Sequence, residues 1–215
     1  MKIETLVLGG LETNCYLVYD EAERRGFLVD PADDALNITA KLNALGVTPE
    51  AVLLTHGHFD HIMAADELRS FYQIPVLAHE AEAALLEDPM KNLSGLWAAP
   101  YRLKADRLLK DHEKLTIAGM ELEVFHTPGH TKGGVCYYLE KEGVLLAGDT
   151  LFCESYGRTD FPGGSFGELR NSITNILFLL PDEVTVYSGH SAETTIGHEK
   201  RYNPMAVYTA GGGWQ

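Results

Sequence analysis

The string Thr55-His56-Gly57-His58-Phe59-Asp60-His61 sets four metal-ligand side chains within six residues, between an apolar run at 51–54 and a helix-like pattern at 62–71. A short apolar run bounded by turn residues reads as a buried strand, and the longer periodic stretch as a helix, so the chain is constrained to run strand, tight loop, helix. Loop geometry lets His56 and His58 aim at one ion. Asp60, at the expected helix N-cap, and His61, in the first turn, then point toward a second ion close by. A loop that serves packing alone has no reason to gather three histidines and an aspartate.

The same arrangement recurs three times further along. Residues 121–125, 144–147 and 184–187 are strand-like, and each is followed by a glycine and a ligand-type residue: Gly129 and His130, Gly148 and Asp149, Gly189 and His190. The glycines permit a sharp turn beside an ion. Taken singly, His130, Asp149 and His190 are ordinary loop or cap residues; the cluster at 56–61 makes them parts of one site. Ligands in open sheets collect at the carboxyl ends of strands, so convergence on one sheet edge is expected. Asp149, with two oxygens, is the natural bridge. Nitrogen and oxygen donors without a thiolate suit zinc, iron or manganese, and seven ligands exceed the four, mostly Cys, of a closed structural zinc site.

At 215 residues and 45% hydrophobic, the chain is the size of one domain with a sizeable core, taken as 1–215. Strands are expected at 3–8, 16–18, 27–29, 51–54 and 76–78, with helices at Ala35–Leu45 and 62–71. A second series runs from 115 to 187 and holds a helix at 166–177 capped by Ser165. Such alternation predicts an α/β layered domain. No apolar run approaches the roughly 20 residues that cross a bilayer, and the start MKIETLVLGG lacks a signal pattern, so no membrane partner and a cytoplasmic location are expected. Three cysteines without a CxxC fit reduced thiols, with Cys15 and Cys136 in buried strands and Cys153 four residues past Asp149.

The formal net charge of −14, with no basic stripe, argues against a nucleic-acid substrate. The few cations near the motifs are Arg158, Lys200 and Arg201. Arg158 and Lys200 are where a substrate carboxylate would be met, since an arginine binds one through two parallel hydrogen bonds. The stretch 87–113 breaks the periodicity. It fits either a loop covering the site or a linker packed by Leu93, Leu96 and Trp97.

The HxHxDH loop followed by single His, Asp and His at strand ends resembles the metallo-β-lactamase superfamily of metallohydrolases, in an order matching over roughly residues 3–203. The strings TNCYLV (13–18), GDTLF (148–152), GRTDFPGG (157–164) and TIGHEKRYNP (195–204) look most like its short, glyoxalase II-like (hydroxyacylglutathione hydrolase-like) group. That resemblance implies an αββα four-layer metallo-β-lactamase-type sandwich. It also implies two divalent ions, zinc first with iron or manganese as alternatives, with His56, His58 and His130 on one, Asp60, His61 and His190 on the other, and Asp149 between.

The implied reaction is hydrolysis of a small acidic acyl thioester, S-2-hydroxyacylglutathione to 2-hydroxy acid and glutathione, by a metal-bridging hydroxide that Asp60 orients as catalytic residue. The chain departs from longer glyoxalase II enzymes in ending soon after TIGHEKRYNP and in carrying Asp160 where those enzymes have a tyrosine. Two other classes remain open. A persulfide dioxygenase would hold one iron through His56, His130 and Asp149. A non-catalytic, metal-stabilised binding module would turn nothing over.

Overall fold

A computed structural model describes residues 1–208; residues 209–215 of the expected domain lie outside the described residues. The first sheet comprises β1 (Lys2–Leu8), β2 (Thr13–Asp20), β3 (Arg25–Val29), β4 (Thr48–Leu53), β5 (Val76–His79) and β6 (Arg107–Leu109), in that order across the sheet. Its first three strands are antiparallel neighbours, and β3 to β6 are parallel. The second sheet contains β7 (Lys114–Ile117), β8 (Met120–His126), β9 (Val135–Leu139) and β10 (Val144–Gly148). A two-strand ribbon, β11 (Leu151–Phe152) and β12 (Ser155–Tyr156), precedes its last strands, β13 (Thr185–Ser188) and β14 (Thr194–Thr195). The order is β14-β13-β10-β9-β8-β7, with β10 and β13 parallel.

Four layers follow from how the strands divide their side chains. Along β2, Tyr16 and Val18 face one core together with Phe27, Leu53, Val124, Tyr137 and Leu146, which come from both sheets. The alternate residues Cys15, Leu17 and Tyr19 face the other way, onto Ile38 and Leu42 of α1 (Ala35–Leu45). The second sheet repeats this: Cys136, Leu145 and Val186 pack on Leu169 and Ile173 of a later helix (Phe166–Asn175). Strands covered on both faces read as continuous apolar runs rather than alternating ones. The αββα sandwich is therefore the observed architecture.

Local chemistry sets the helix ends. Asp34 caps α1 by accepting the Asn37 N–H, and Gly46 closes it in the left-handed region, so α1 runs over the expected residues. The helix expected at 62–71 is instead two, α2 (Phe59–Ile62) and α3 (Ala65–Tyr72), broken at Met63 and Ala64. The stretch 87–113 follows α4 (Ala83–Leu86), contains α5 (Ser94–Trp97), and supplies the edge strand β6. Asn92 ties it together by donating to the carbonyls of Leu86 and Tyr101. Ser165 caps α6 (Phe166–Asn175) through the Glu168 N–H, and α7 (Ile196–Tyr202) follows β14.

Candidate metal centre

Four strand ends meet at one end of the sandwich. They are not all on one sheet, as the sequence suggested: β4 belongs to the first sheet, and β8, β10 and β13 to the second. β8 and β10 are each antiparallel to β9, and β13 is parallel to β10, so these three ends share a direction. The Val135 N–H donates to the Thr55 carbonyl and the Tyr137 hydroxyl to the Leu54 carbonyl, holding the two sheets' ends together. Gly189 is required for space more than for turning, because a Cβ there would collide with Asp149 Oδ1 and with the His61 ring. Gly148 has φ +48°, the region glycine favours, and a Cβ on it would meet Thr55.

The seven ligand-type residues are brought together. His56, His58 and His130 form one group whose ligand atoms lie within 4.8 Å of one another, and Asp60, His61 and His190 form a second. Asp149 lies between, with Oδ2 3.5 Å from His130 Nε2 and Oδ1 3.5 Å from His61 Nε2. Asp60 Oδ2 is 3.2 Å from His190 Nε2 and 3.7 Å from His61 Nε2.

The surrounding hydrogen bonds fix which ring nitrogens face inward. His130 Nδ1 donates to the Arg158 carbonyl at 2.7 Å, His190 Nδ1 to the Leu11 carbonyl at 3.1 Å, and His61 Nδ1 to Asp30 Oδ2 at 3.0 Å. In a neutral ring each leaves a lone pair on Nε2. His56 follows suit, since the Thr55 hydroxyl spends its proton on Asp30 Oδ2 and so accepts from His56 Nδ1. His58 turns the other way, with Nδ1 2.9 Å from His130 Nε2.

This arrangement fits a cation. His56 Nε2 and Asp149 Oδ1, which face the centre, are buried with no hydrogen-bond partner, and such groups are costly unless something satisfies them. Burial, then the neighbouring rings, pushes His56 and His58 well below the usual histidine range. Burial would lower His61 too, but Asp149, Asp60 and Asp30 outweigh it and raise the ring to about 10. His190 is raised against its burial by its hydrogen bond to Asp60 and by Asp149. Asp60, despite burial, is held well below the carboxylate range by His61 and His190.

Two buried carboxylates that the sequence reading passed over support the loops. Asp30, at φ +50° just after β3, accepts the Thr55 N–H and hydroxyl as well as His61. Glu82 accepts the N–H of Gly57, between two ligands, and that of Gly133 beyond His130. The available signals were a polar residue ending the run FLVD and one glutamate among several in HEAEA.

Two expectations need correction. Asp60 is not the N-cap; His58 occupies that position, and the Asp60 carboxylate turns into the site. Lys200 is not brought to the groove: its Nζ donates to the Leu180 carbonyl and to Asp182 Oδ1. Arg158 does line the groove, but Asp160 binds its guanidinium through two 2.7 Å hydrogen bonds and is drawn down to about 2 by them. The stretch 87–113 contributes Leu93, Trp97 and Ala98 to the groove and also builds an edge strand; of the three side chains expected to pack it, Leu93 is buried whereas Leu96 and Trp97 are exposed. Cys15 and Cys136 are buried in strands, and Cys153 is half-buried, with His198 and Glu199 within ligand distance.

The sandwich with its paired His/Asp groups defines a metallohydrolase of the αββα type. Residues 8–190 match the Metallo-beta-lactamase superfamily, and the chain belongs to that superfamily. It is similar to BLEG-1, described as a B3 metallo-beta-lactamase, at 42% identity and a TM-score of 0.91 over 98% of this chain and 100% of that one. TTHA1623, solved in a di-iron-bound form, is 35% identical with a TM-score of 0.82, covering 94% and 98% of the two chains. The hydroxyacylglutathione hydrolase GloC of Haemophilus influenzae is 32% identical over 211 residues, 95% of this chain and 98% of that protein.

Proposed function

We propose that the protein hydrolyses a small acyl thioester at a dinuclear metal centre, the glutathione thioester of a 2-hydroxy acid being the form suggested by its likeness to GloC. The observation that carries this reading is the position of Asp149, one carboxylate in reach of both histidine groups. His56, His58 and His130 would hold one divalent ion, Asp60, His61 and His190 the other, and Asp149 both. Metals so held polarise a carbonyl and bring the pKa of water down to about 7. The likeness to a di-iron protein leaves zinc, iron and manganese all compatible with these donors.

The chain's own contributions are orientation and charge. Asp60 Oδ2, which the Thr13 hydroxyl reaches at 3.4 Å, can accept a hydrogen bond from the attacking water and fix its direction. The carbonyls of Arg158 and Leu11 and the Asp30 carboxylate hold three imidazoles in the orientation the chemistry needs. A departing thiolate, whose thiol pKa is near about 8.5, asks little of a general acid.

A second reading, β-lactam hydrolysis, is favoured by the likeness to BLEG-1. One experiment separates them: metal content of protein purified without added metal, then turnover of a glutathione thioester, followed at its thioester absorbance, beside a chromogenic cephalosporin. Two metals with thioester turnover support the proposal. Turnover of the cephalosporin alone moves the function to the second reading, and one iron per chain with oxygen uptake on a persulfide overturns both.

A further inference from the structure

A groove of about 1010 Å³ opens from the ligands, with His58, Asp60, His130, Asp149 and His190 along its floor. That is at the upper end of the about 300–1,000 Å³ typical of ligand pockets and far more than a hydroxyacyl group fills. Its wall is aromatic. The ring centroids of Phe59 and Trp97 are 6.4 Å apart and those of Trp97 and Phe161 5.3 Å, and Phe161 meets His58 at 5.9 Å. Leu11, Met63 and Leu93 add apolar surface. Trp97 is 57% exposed and Leu11 54%, so large apolar side chains stand uncovered beside the reacting centre.

The charges of the groove point the same way. Among the described residues, Arg158 is the one Lys or Arg lining it, and Asp33 is the one carboxylate there not assigned to the ions, whose own charge offsets Asp60 and Asp149. The Arg158 guanidinium gives its Nε–Nη2 edge to Asp160 and lies 3.7 Å over the Phe161 ring. A substrate carboxylate that sought the same two-point grip on that edge would displace an equivalent carboxylate, so the exchange gains little. The arginine thus serves the wall as a neutralised plate stacked on an aromatic face.

We propose that the Phe59–Trp97–Phe161 wall binds the non-reacting arm of the substrate, that this arm is uncharged and apolar, aryl or alkyl, and that Asp160 sets the preference by occupying Arg158. The inference rests on the thioester reading for the reacting end alone. It names an apolar thiol, rather than glutathione, as the better partner of the acyl group.

The test uses two thioesters of one hydroxy acid, on benzyl mercaptan and on glutathione, with the metal-loaded protein. Taking the ratio of kcat/KM on one preparation cancels differences in metal loading. The benzyl thioester should lead by about tenfold, mainly through KM, and Trp97→Ala should erase most of that lead. Asp160→Asn, which frees the guanidinium, should move the ratio toward glutathione by about three- to fivefold. A parallel binding measurement uses inert thioethers of the same two thiols, read by quenching of Trp97 fluorescence with Trp97→Phe as blank. If neither thioester turns over while the benzyl thioether binds more tightly, the thioesterase reading fails and the wall stands. A glutathione thioester used as well as the benzyl one, with a ratio that Asp160→Asn leaves unmoved, overturns the proposal and spares the hydrolase.

Discussion

The two halves of the centre are built from opposite materials. Apart from the shared Asp149, His56, His58 and His130 make a half of imidazoles alone, with His56 and His58 kept neutral by burial, whereas Asp60 joins His61 and His190 in the other and, with Asp149, lifts both rings. Each half also has its own buried carboxylate: Glu82 under the first, holding the Gly57 and Gly133 backbone, and Asp30 under the second, holding His61 and Thr55. One rests on backbone placement, the other on ring orientation and charge. The difference teaches that ligand type alone does not describe such a site; what stands behind each ligand decides how it fails.

Asp149→Asn should have the largest effect, because its carboxylate serves both halves. Metal content should fall below two per chain, and turnover by more than about 100-fold, beyond the about 10- to 100-fold that losing an outer hydrogen-bond partner costs. Retention of two metals with near-normal turnover would remove Asp149 from the bridge. Asp30→Asn should act mainly on the second half, since it touches His61 directly and His56 only through the Thr55 hydroxyl: competition titration with a chelator should show about 10- to 100-fold weaker binding of one metal equivalent and a smaller loss at the other. Glu82→Gln is the mirror case. A single amide oxygen cannot serve both N–H groups, and a buried donor left unpaired costs about 1–3 kcal/mol. The expected result is a lower Tm and about tenfold weaker binding of the other equivalent. Equal loss from both halves in either variant would break the comparison.

The smallest effect concerns pH. His79, three residues before Glu82, is stacked on His126 at 4.1 Å and lies below its usual value through burial and that neighbour, against Glu80 and Asp111. A histidine lowered on folding costs nothing above about pH 6.5. As the pH falls below that value, the unfolded chain takes a proton that the folded one refuses, so stability declines. Replacing His79 with Gln should flatten the decline of Tm between about pH 7 and pH 5.5 relative to wild type. An unchanged slope would show that the stack bears no proton penalty.

Much of the frame was legible because its determinants are local. The strands are apolar on both faces, and α1 carries its own stop signs in Asp34 and Gly46. The break between α2 and α3 was not, since Met63 and Ala64 are ordinary helix residues that only tertiary packing displaces. β6 escaped notice as three residues, Arg107, Leu108 and Leu109, without a period. The ligand-type residues stood out through spacing and repetition at strand ends. Asp30 and Glu82 did not, because a lone carboxylate shows its partners only once the chain has folded. Lys200 was misplaced for the same reason: nothing local to TIGHEKRYNP shows that Asp182 claims it.

The Tyr16 hydroxyl and the Asn14 amide both donate to the Ser188 carbonyl, and Asn14 reaches Ser191 as well, so strands about as far apart in sequence as the chain allows brace His190. During synthesis this brace forms late. A nascent chain that has already folded the first sheet still lacks His190 and the strand that presents it, and contacts of such long range are slow to close. The second half-site therefore cannot be complete until residue 190 has been made and β13 has docked beside β10, and an ion filling it would act as a clasp on a chain already folded rather than as a seed for it.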